Sequence, residues 1–239
     1  MSRYEKFSTV YDKLMYDCDY DKWSQYLLSR LSGKGIDFAC GSGTMTLNMR
    51  KGGLDVFGVD LSRDMLEIAK EKARKEHIPT EFLEADMTSF KYGLKLDFAT
   101  CLIDGVNYLT DRETERFFNS VYGMLKENGK FIFDVSSEYK ITTVLANNFY
   151  YDDEEDVTYF WTNKLAKDGK RVTCDLSFFV KDGEKYDRFD ERHVFHLKKT
   201  EDMKTLLKKA GFKEIKITDD SFNGRPKEKA MRIVFEATK

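Results

Sequence analysis

The sequence predicts an α/β protein: an open, doubly wound, mostly parallel seven-stranded sheet carrying a small antiparallel β-meander as an insertion. Three observations predict it. Strand-like and helix-like segments alternate from about residue 35 to residue 135, a glycine-bearing turn follows the first strand, and the period changes from about residue 150. Strict alternation of this kind requires right-handed crossovers, which make the strands parallel.

The elements follow in order. Tyr4, Phe7, Tyr11 and Leu14 recur at helical spacing, and Trp23, Tyr26, Leu27 and Leu31 do so again, which predicts two N-terminal helices. Gly35–Ala39 reads as the first strand and Leu54–Val59 as the second. Ser62 then stands where an N-cap belongs, ahead of Met65, Leu66, Ala69 and Ala73. Glu81–Leu83 and Leu96–Leu102 are the next strands. Asp111 starts a helix that buries Phe117, Phe118, Val121 and Leu125, with Gly129 just past its end, and Phe131–Val135 is the fifth strand.

Three β-rich runs then follow, Val157–Leu165, Arg171–Val180 and Glu184–Leu197, separated by Asp168-Gly169 and Asp182-Gly183. Asp-Gly is a strong hairpin signal, so an antiparallel meander is expected. A helix over Thr200–Ala210, stopped by Gly211, precedes two closing strands near Lys213–Thr218 and Met231–Ala237. Residues 1–149 and 198–239 are thereby assigned to the main domain, and residues 150–197 to a cap over its site.

Composition narrows the classes. A chain of 239 residues suits one sizeable domain with an insertion, and 41% hydrophobic with 34% charged residues allow a core under a well-solvated surface. Neither a signal peptide nor a bilayer span is evident, so a cytoplasmic protein without a membrane partner is expected. Cys18, Cys40, Cys101 and Cys174 are scattered without a C-x-x-C pair, which reads as reduced thiols in packed positions, and no constellation points to a metal. The formal charge of −2 gives no general attraction to polyanions. The Lys-rich segment from Lys198 to Lys216 reads as a solvated helix face.

In open α/β sheets, ligands bind outside the carboxyl ends of the strands at the switch point. The first such turn reads Asp37-Phe38-Ala39-Cys40-Gly41-Ser42-Gly43, whose glycines allow close ligand approach. A nicotinamide dehydrogenase needs G-x-G-x-x-G. Starting from Gly41 leaves Thr46 at the third position, and starting from Ala39 leaves Thr44, so neither register fits.

The turn instead resembles the first motif of class I S-adenosylmethionine-dependent methyltransferases, an acidic residue followed by alternating small ones. Asp37 matches the acid, and Ala39, Gly41 and Gly43 the small positions, Ala39 replacing the usual first glycine. Asp60, ending Phe57-Gly58-Val59-Asp60, matches the acid that holds the ribose. Ala85-Asp86-Met87 resembles the adenine-binding segment, and Leu102-Ile103-Asp104 ends the fourth strand, where methyl donor and acceptor meet. The pattern Tyr4-x-x-Phe7-x-x-x-Tyr11-Asp12 with Asp19-Tyr20-x-x-Trp23 is similar to small bacterial methyltransferases with a β cap.

The resemblance implies a Rossmann-like fold and S-adenosyl-L-methionine as cofactor. Its contacts are expected from Ala39, Cys40, Gly41 and Gly43, from Asp60, Leu61 and Met65, from Asp86 and Met87, and from Leu102. Tyr11, Tyr20 and Trp23 read equally as core residues or as a cofactor lid. Asp104 is the best-placed candidate for a base and equally a turn acid, while Asn107 and Tyr108 are candidates to orient an acceptor. In the cap, Tyr159 and Trp161 alternate with Phe160 and Thr162 and offer one face to a ligand. His193 and His196 fall on opposite faces of their strand, and His77 lies in a loop.

The expected activity is methyl transfer to a small-molecule acceptor, such as an amino group on a nucleotide sugar or amino acid, by in-line displacement. A tRNA or rRNA methyltransferase is an alternative, opposed by the neutral total charge and the acidic run Asp152-Asp153-Glu154-Glu155-Asp156. A non-catalytic S-adenosylmethionine-binding regulatory protein is another. The acceptor and the oligomeric state are not encoded in these motifs.

Overall fold

A computed structural model describes residues 18–239 of the chain. The first expected helix, over Tyr4 to Leu14, lies outside those residues, and so does Tyr11. The first described helix, α1 (Tyr20–Leu28), starts from Asp19, whose carboxylate accepts the Lys22 N–H at 3.0 Å. Strand β1 (Lys34–Phe38) leads through the glycine turn to α2 (Thr44–Lys51) and β2 (Asp55–Asp60). Ser62 caps α3 (Arg63–Lys75) as its position predicts, accepting the Met65 N–H, and the amphipathic spacing buries Met65, Leu66, Ala69 and Ala73. His77 continues from α3 in the left-handed conformation (φ 56°), where the Ile78 N–H returns to the Ala73 carbonyl.

Strands β3 (Phe82–Glu84) and β4 (Leu96–Cys101) come next, followed by a single 3₁₀ turn, Gly105–Tyr108. Helix α4 (Asp111–Met124) opens with a capping box. Glu113 accepts the Thr110 N–H at 2.8 Å while Thr110 accepts the Glu113 N–H. The helix does not run on to Gly129 as expected. Leu125 passes directly into β5 (Leu125–Ser136), and a Cβ on Gly129 would lie 2.8 Å from the Lys126 carbonyl oxygen, so close backbone approach rather than helix termination accounts for this glycine.

After a π-helical turn, Lys140–Leu145, the chain forms β6 (Phe149–Asp153), β7 (Val157–Leu165), β8 (Arg171–Asp182) and β9 (Lys185–His196). Helix α5 (Thr200–Ala210) ends at Gly211 in the left-handed conformation (φ 109°), and β10 (Lys213–Asp219) and β11 (Arg232–Thr238) complete the chain's elements.

The main sheet has seven strands in the order β10-β11-β5-β4-β1-β2-β3, parallel except that β11 runs antiparallel to both neighbours. Both faces are buried. On one, Ile36, Phe38, Phe131, Phe133 and Phe235 meet Phe117, Phe118 and Val121 of α4 and Leu207 of α5. On the other, Phe98, Ile132 and Val234 meet Trp23 and Leu27 of α1 and Met45 and Met49 of α2. Burial on both faces explains why Phe131-Ile132-Phe133 reads as a continuous apolar run. Each such side chain contributes about 1.5–3 kcal/mol on leaving water.

The second sheet, β6-β7-β8-β9, is wholly antiparallel. It holds four strands where the sequence predicts three. β6 is only five residues long and consists of three aromatics and two acids, so it offers no alternation to read. Asp182 pairs with Lys185 across a two-residue turn in which Gly183 takes φ 64°. The inner face carries Val157, Val172, Cys174, Leu176, Phe178 and Phe189, which pack against Ile141 and Leu145 of the π-helical turn. Among the described residues, no helix is long and apolar enough to cross a membrane.

Candidate active site

The turn after β1 is set by backbone conformation. Ala39 (φ 51°), Gly41 (φ 53°) and Gly43 (φ 77°) all lie in the left-handed region. At Gly43 an added Cβ would stand 2.7 Å from the Ala69 Cβ, so glycine is required for space as well as conformation. Ala39 adopts its conformation at a cost of about 1–2 kcal/mol. Asp60, at the end of β2, braces the turn: its carboxylate accepts the Gly41 N–H at 2.8 Å and the Ser62 N–H at 2.8 Å. Each oxygen keeps lone-pair capacity for a ligand hydroxyl. Beside it, Leu61 is 72% exposed and presents an apolar side chain at the strand end.

Below the turn, Asp37 is buried and accepts the hydroxyls of Thr46 (2.6 Å) and Thr100 (2.7 Å). Burial pushes its carboxyl up to about 6, although both hydroxyl hydrogen bonds pull the other way. Asp37, Ala39, Cys40, Gly41, Ser42, Thr44, Met45, Leu102, Ile103 and Tyr20 together line a cleft at the carboxyl ends of β1 and β4. Burial raises the Cys40 thiol well above its ordinary value, so it stays protonated and is no nucleophile.

The loop after β4 is strained. Ile103 (φ 59°) and Asp104 (φ 68°) are both left-handed, which is unusual above all for a β-branched residue. Asp134 of β5 holds this backbone, accepting the Ile103 N–H at 2.6 Å and the Asp104 N–H at 3.1 Å. Arg232 of β11 donates to Asp134 and, at 2.9 Å, to Asp104. Asp104 also accepts the Ser136 hydroxyl (2.7 Å) and the Lys140 ammonium (3.1 Å).

Comparison with known proteins places this arrangement. A methyltransferase-domain model matches residues 36–129. YqeM of Bacillus subtilis, assigned as a methyltransferase, is 35% identical over 99% of this chain and 97% of that protein. The crystal structure of an S-adenosylmethionine-dependent methyltransferase from Clostridium acetobutylicum superposes with a TM-score of 0.91 at 33% identity, covering 99% of both chains. The chain belongs to the S-adenosylmethionine-dependent methyltransferases. More distantly, the sugar N-methyltransferase KedS8 of Streptoalloteichus shares the fold, with a TM-score of 0.78 at 21% identity over 98% of this chain and 92% of that one.

The cofactor of this methyltransferase is S-adenosylmethionine, and the residues at the strand ends fit it. The two-glycine turn leaves the backbone open, Asp60 carries a carboxylate for a diol, and the acid at the cleft floor suits a cationic ligand. Of the sequence candidates, Tyr20, Ala39, Cys40, Gly41 and Leu102 line the cleft itself. Gly43 backs onto Ala69 and Phe82, and Met65 is buried in the first turn of α3. Asp86 and Met87 follow β3. Asp86 is exposed and accepts the Thr88 N–H at 2.8 Å, and Met87 packs on the core.

Three candidates take other places in the methyltransferase. Trp23 is 4% exposed and packs edge-on against Phe222 at 4.8 Å, which makes it a core residue and not a lid. Asn107 is fully buried. Its amide donates to the His196 carbonyl at 3.0 Å and accepts the Ser136 N–H at 2.8 Å, so both ends are used in joining the two sheets. Asp104 is unsuited to be a base. Burial alone would raise its carboxyl, but Arg232 and Lys140 outweigh burial and hold it below the usual carboxylate range, the opposite of what proton uptake near neutrality requires.

Tyr108 is 46% exposed, and its hydroxyl meets His193 Nδ1 of β9 at 3.0 Å. Tyr159 and Trp161 lie on the inner face of the second sheet, where the Trp161 indole donates to Asn163 at 2.6 Å. The sequence reading missed Asp134, Arg232, Lys140 and Ser136. An acid inside the apolar run Phe131–Val135 was the one available signal, because a charge in a buried strand calls for a partner.

Proposed function

We propose that this methyltransferase acts on a small-molecule acceptor, by in-line displacement, in the space between the carboxyl ends of β1 and β4 and the inner face of the second sheet. On this reading residues 150–197 form a cap. One observation carries it. The second sheet is fastened to the loop after β4 through Asn107–His196 and Tyr108–His193, which narrows the approach to the strand ends from that side. An approach narrowed on one side and bordered there by the exposed ring of Tyr108 favours a compact acceptor over a polymer.

When bound, S-adenosylmethionine supplies a methyl group already activated by its sulfonium. The protein's share is positioning and exclusion of water, which can supply about 7–11 kcal/mol. Asp60 would accept the ribose hydroxyls, Leu61 would cover the adenine, and Asp86 would take its exocyclic amine while the Met87 N–H would meet a ring nitrogen. Asp37 offers charge to the ligand's ammonium end. The strained Ile103–Asp104 backbone, fixed by Asp134 and Arg232, shapes the floor on which acceptor and methyl meet. The sugar N-methyltransferase KedS8, which shares the fold over 98% of this chain, supports this class of acceptor.

The test is methyl transfer from labelled S-adenosylmethionine to two sets of acceptors, small amines and alcohols in one and total tRNA and rRNA in the other. Label in the small molecules supports the proposal. Label in RNA alone, with binding that weakens steeply as salt rises, overturns it.

A further inference from the structure

The proposed function leaves open where the proton of an acceptor goes, since Asp104 is committed to Arg232 and Lys140. The seam between the two sheets offers another route. His193 sits on the inner face of β9, opposite Cys174 of β8, with its ring nearly parallel to that of Phe195. Tyr108 reaches across from the 3₁₀ turn to His193 Nδ1, and its ring packs against Phe195 at 4.9 Å. Tyr108 is five positions along the chain from Ile103, which lines the cofactor cleft. Glu191, on the same face of β9 two residues before His193, adds a carboxylate that attracts a cationic acceptor.

We infer that Tyr108 and His193 form a proton-accepting pair for an amine acceptor, with Tyr108 touching the amine and His193 acting through it. This inference rests on the small-molecule reading above. The amine enters as R–NH₃⁺. One proton passes to Tyr108 Oη as the tyrosine's own proton moves to His193 Nδ1, leaving neutral R–NH₂ and an imidazolium. The nitrogen lone pair then forms the N–C bond while the C–S bond breaks. Its electron pair stays on sulfur, giving neutral S-adenosylhomocysteine and R–NH₂⁺–CH₃. The imidazolium later returns its proton to solvent.

The surroundings suit the pair. Burial lowers the imidazole below its ordinary value, so the ring rests neutral with an acceptor nitrogen toward Tyr108, and the imidazolium it forms is a transient that hands its proton on. The groups facing it are Tyr108 from the 3₁₀ turn, Cys174 from β8, itself held protonated by burial, and Glu191 on its own strand. Beyond Cys174, Lys140 of the π-helical turn adds a positive charge. As a proton acceptor acting through tyrosine, His193 is a positioning residue, and only a pH-dependent readout separates that role from packing.

The experiment uses the full chain with S-adenosylmethionine and a panel of benzylamine, glycinamide and glucosamine beside their alcohol counterparts. S-adenosylhomocysteine release is followed from pH 5 to 9 for the native protein, Tyr108→Phe and His193→Gln. Amine methylation in the native protein, an acid limb in kcat/KM that both variants lose, and a fall in kcat of about 10²-fold at unchanged S-adenosylmethionine affinity would establish the pair. Variants that keep the native rate and pH profile overturn the pair and leave the small-molecule reading standing. Methylation of the alcohols alone overturns the amine assignment. No turnover, with no panel member shifting the His193 resonance among the chain's three histidines in the S-adenosylhomocysteine complex, overturns both readings. Unchanged S-adenosylhomocysteine binding in each variant certifies that it has folded.

Discussion

The Asp60 carboxylate and the Gly41 N–H are joined at 2.8 Å, so the acid that ends β2 shapes the turn after β1 while keeping lone-pair capacity for a ligand hydroxyl. Asp60→Ala removes both functions. Its affinity for S-adenosylmethionine should fall at least tenfold, the equivalent of the roughly 1.5–3 kcal/mol of a hydrogen bond to a charged group. Calorimetry checks it, and native affinity in the variant takes Asp60 out of the site.

On the proposed reading, Asp37 links ligand binding to a proton. Its folded carboxyl stands at about 6 against an ordinary 3.8, so the folded state holds the proton more tightly than the unfolded one. The sign follows: this group favours folding at low pH, and that contribution is lost as pH rises from about 4 through about 6. A cationic ligand at the cleft floor favours the ionised form. S-adenosylmethionine binding near pH 6 should therefore release part of a proton, seen as a dependence of the apparent binding enthalpy on buffer. Asp37→Asn should abolish that dependence, and its persistence would assign the proton elsewhere.

Asp104→Asn leaves Arg232 and Lys140 short of a buried anion. The expected loss is about 3–5 kcal/mol, or roughly 10 °C in Tm. Because the folded carboxyl lies below its ordinary 3.8, its stabilisation is complete above about pH 4 and disappears as pH falls towards the folded value. Urea unfolding of both proteins should diverge most at neutral pH and converge in acid. A variant as stable as the native chain at pH 7 contradicts the ion cluster.

Asn107→Ala leaves the Ser136 N–H and the His196 carbonyl without their partner. Each buried orphan costs about 1–3 kcal/mol. The damage should fall on the seam: hydrogen exchange should rise in β9 before it rises in β1 or β4. Uniform acceleration across both sheets would mean that Asn107 does not fasten one to the other.

Ala39→Gly should be tolerated. It relieves the left-handed strain of Ala39 at a comparable entropic cost in the unfolded chain, so thermal unfolding should move by no more than about 1 kcal/mol with cofactor affinity retained. A marked loss of affinity would show that the methyl group of Ala39 itself meets the ligand.

What could be read in advance was whatever neighbours in sequence enforce. The turn from Asp37 to Gly43 is local, and its glycines are where the backbone becomes left-handed. Ser62 and Gly211 likewise announced a helix start and a helix stop. Strand alternation separated His193 from His196, but not which of the two meets Tyr108, because that contact joins residues 85 apart. Asp104 reads equally as a base and as a turn acid, and the sequence leaves the choice open for the same reason. Its position at a strand end was visible, whereas Arg232, 128 residues on, is brought to it only by the antiparallel pairing of β11 with β5. Asn107 and Trp23 had plausible ligand chemistry, and only packing shows that each is already engaged.

The reach of Arg232 to Asp104 and Asp134 also bears on the order of assembly. Cofactor turn, Asp60 and the β4 loop are all encoded in the first half of the chain, yet the cation that lets two carboxylates lie together belongs to the strand placed last. During synthesis the earlier elements can collapse with Lys140 paired to Asp104, but Asp134 gains its cation only when β11 inserts between β5 and β10. Long-range closure of this kind is slow, and it ties the finished β4 loop to the arrival of the chain's closing strand rather than to a half-made sheet.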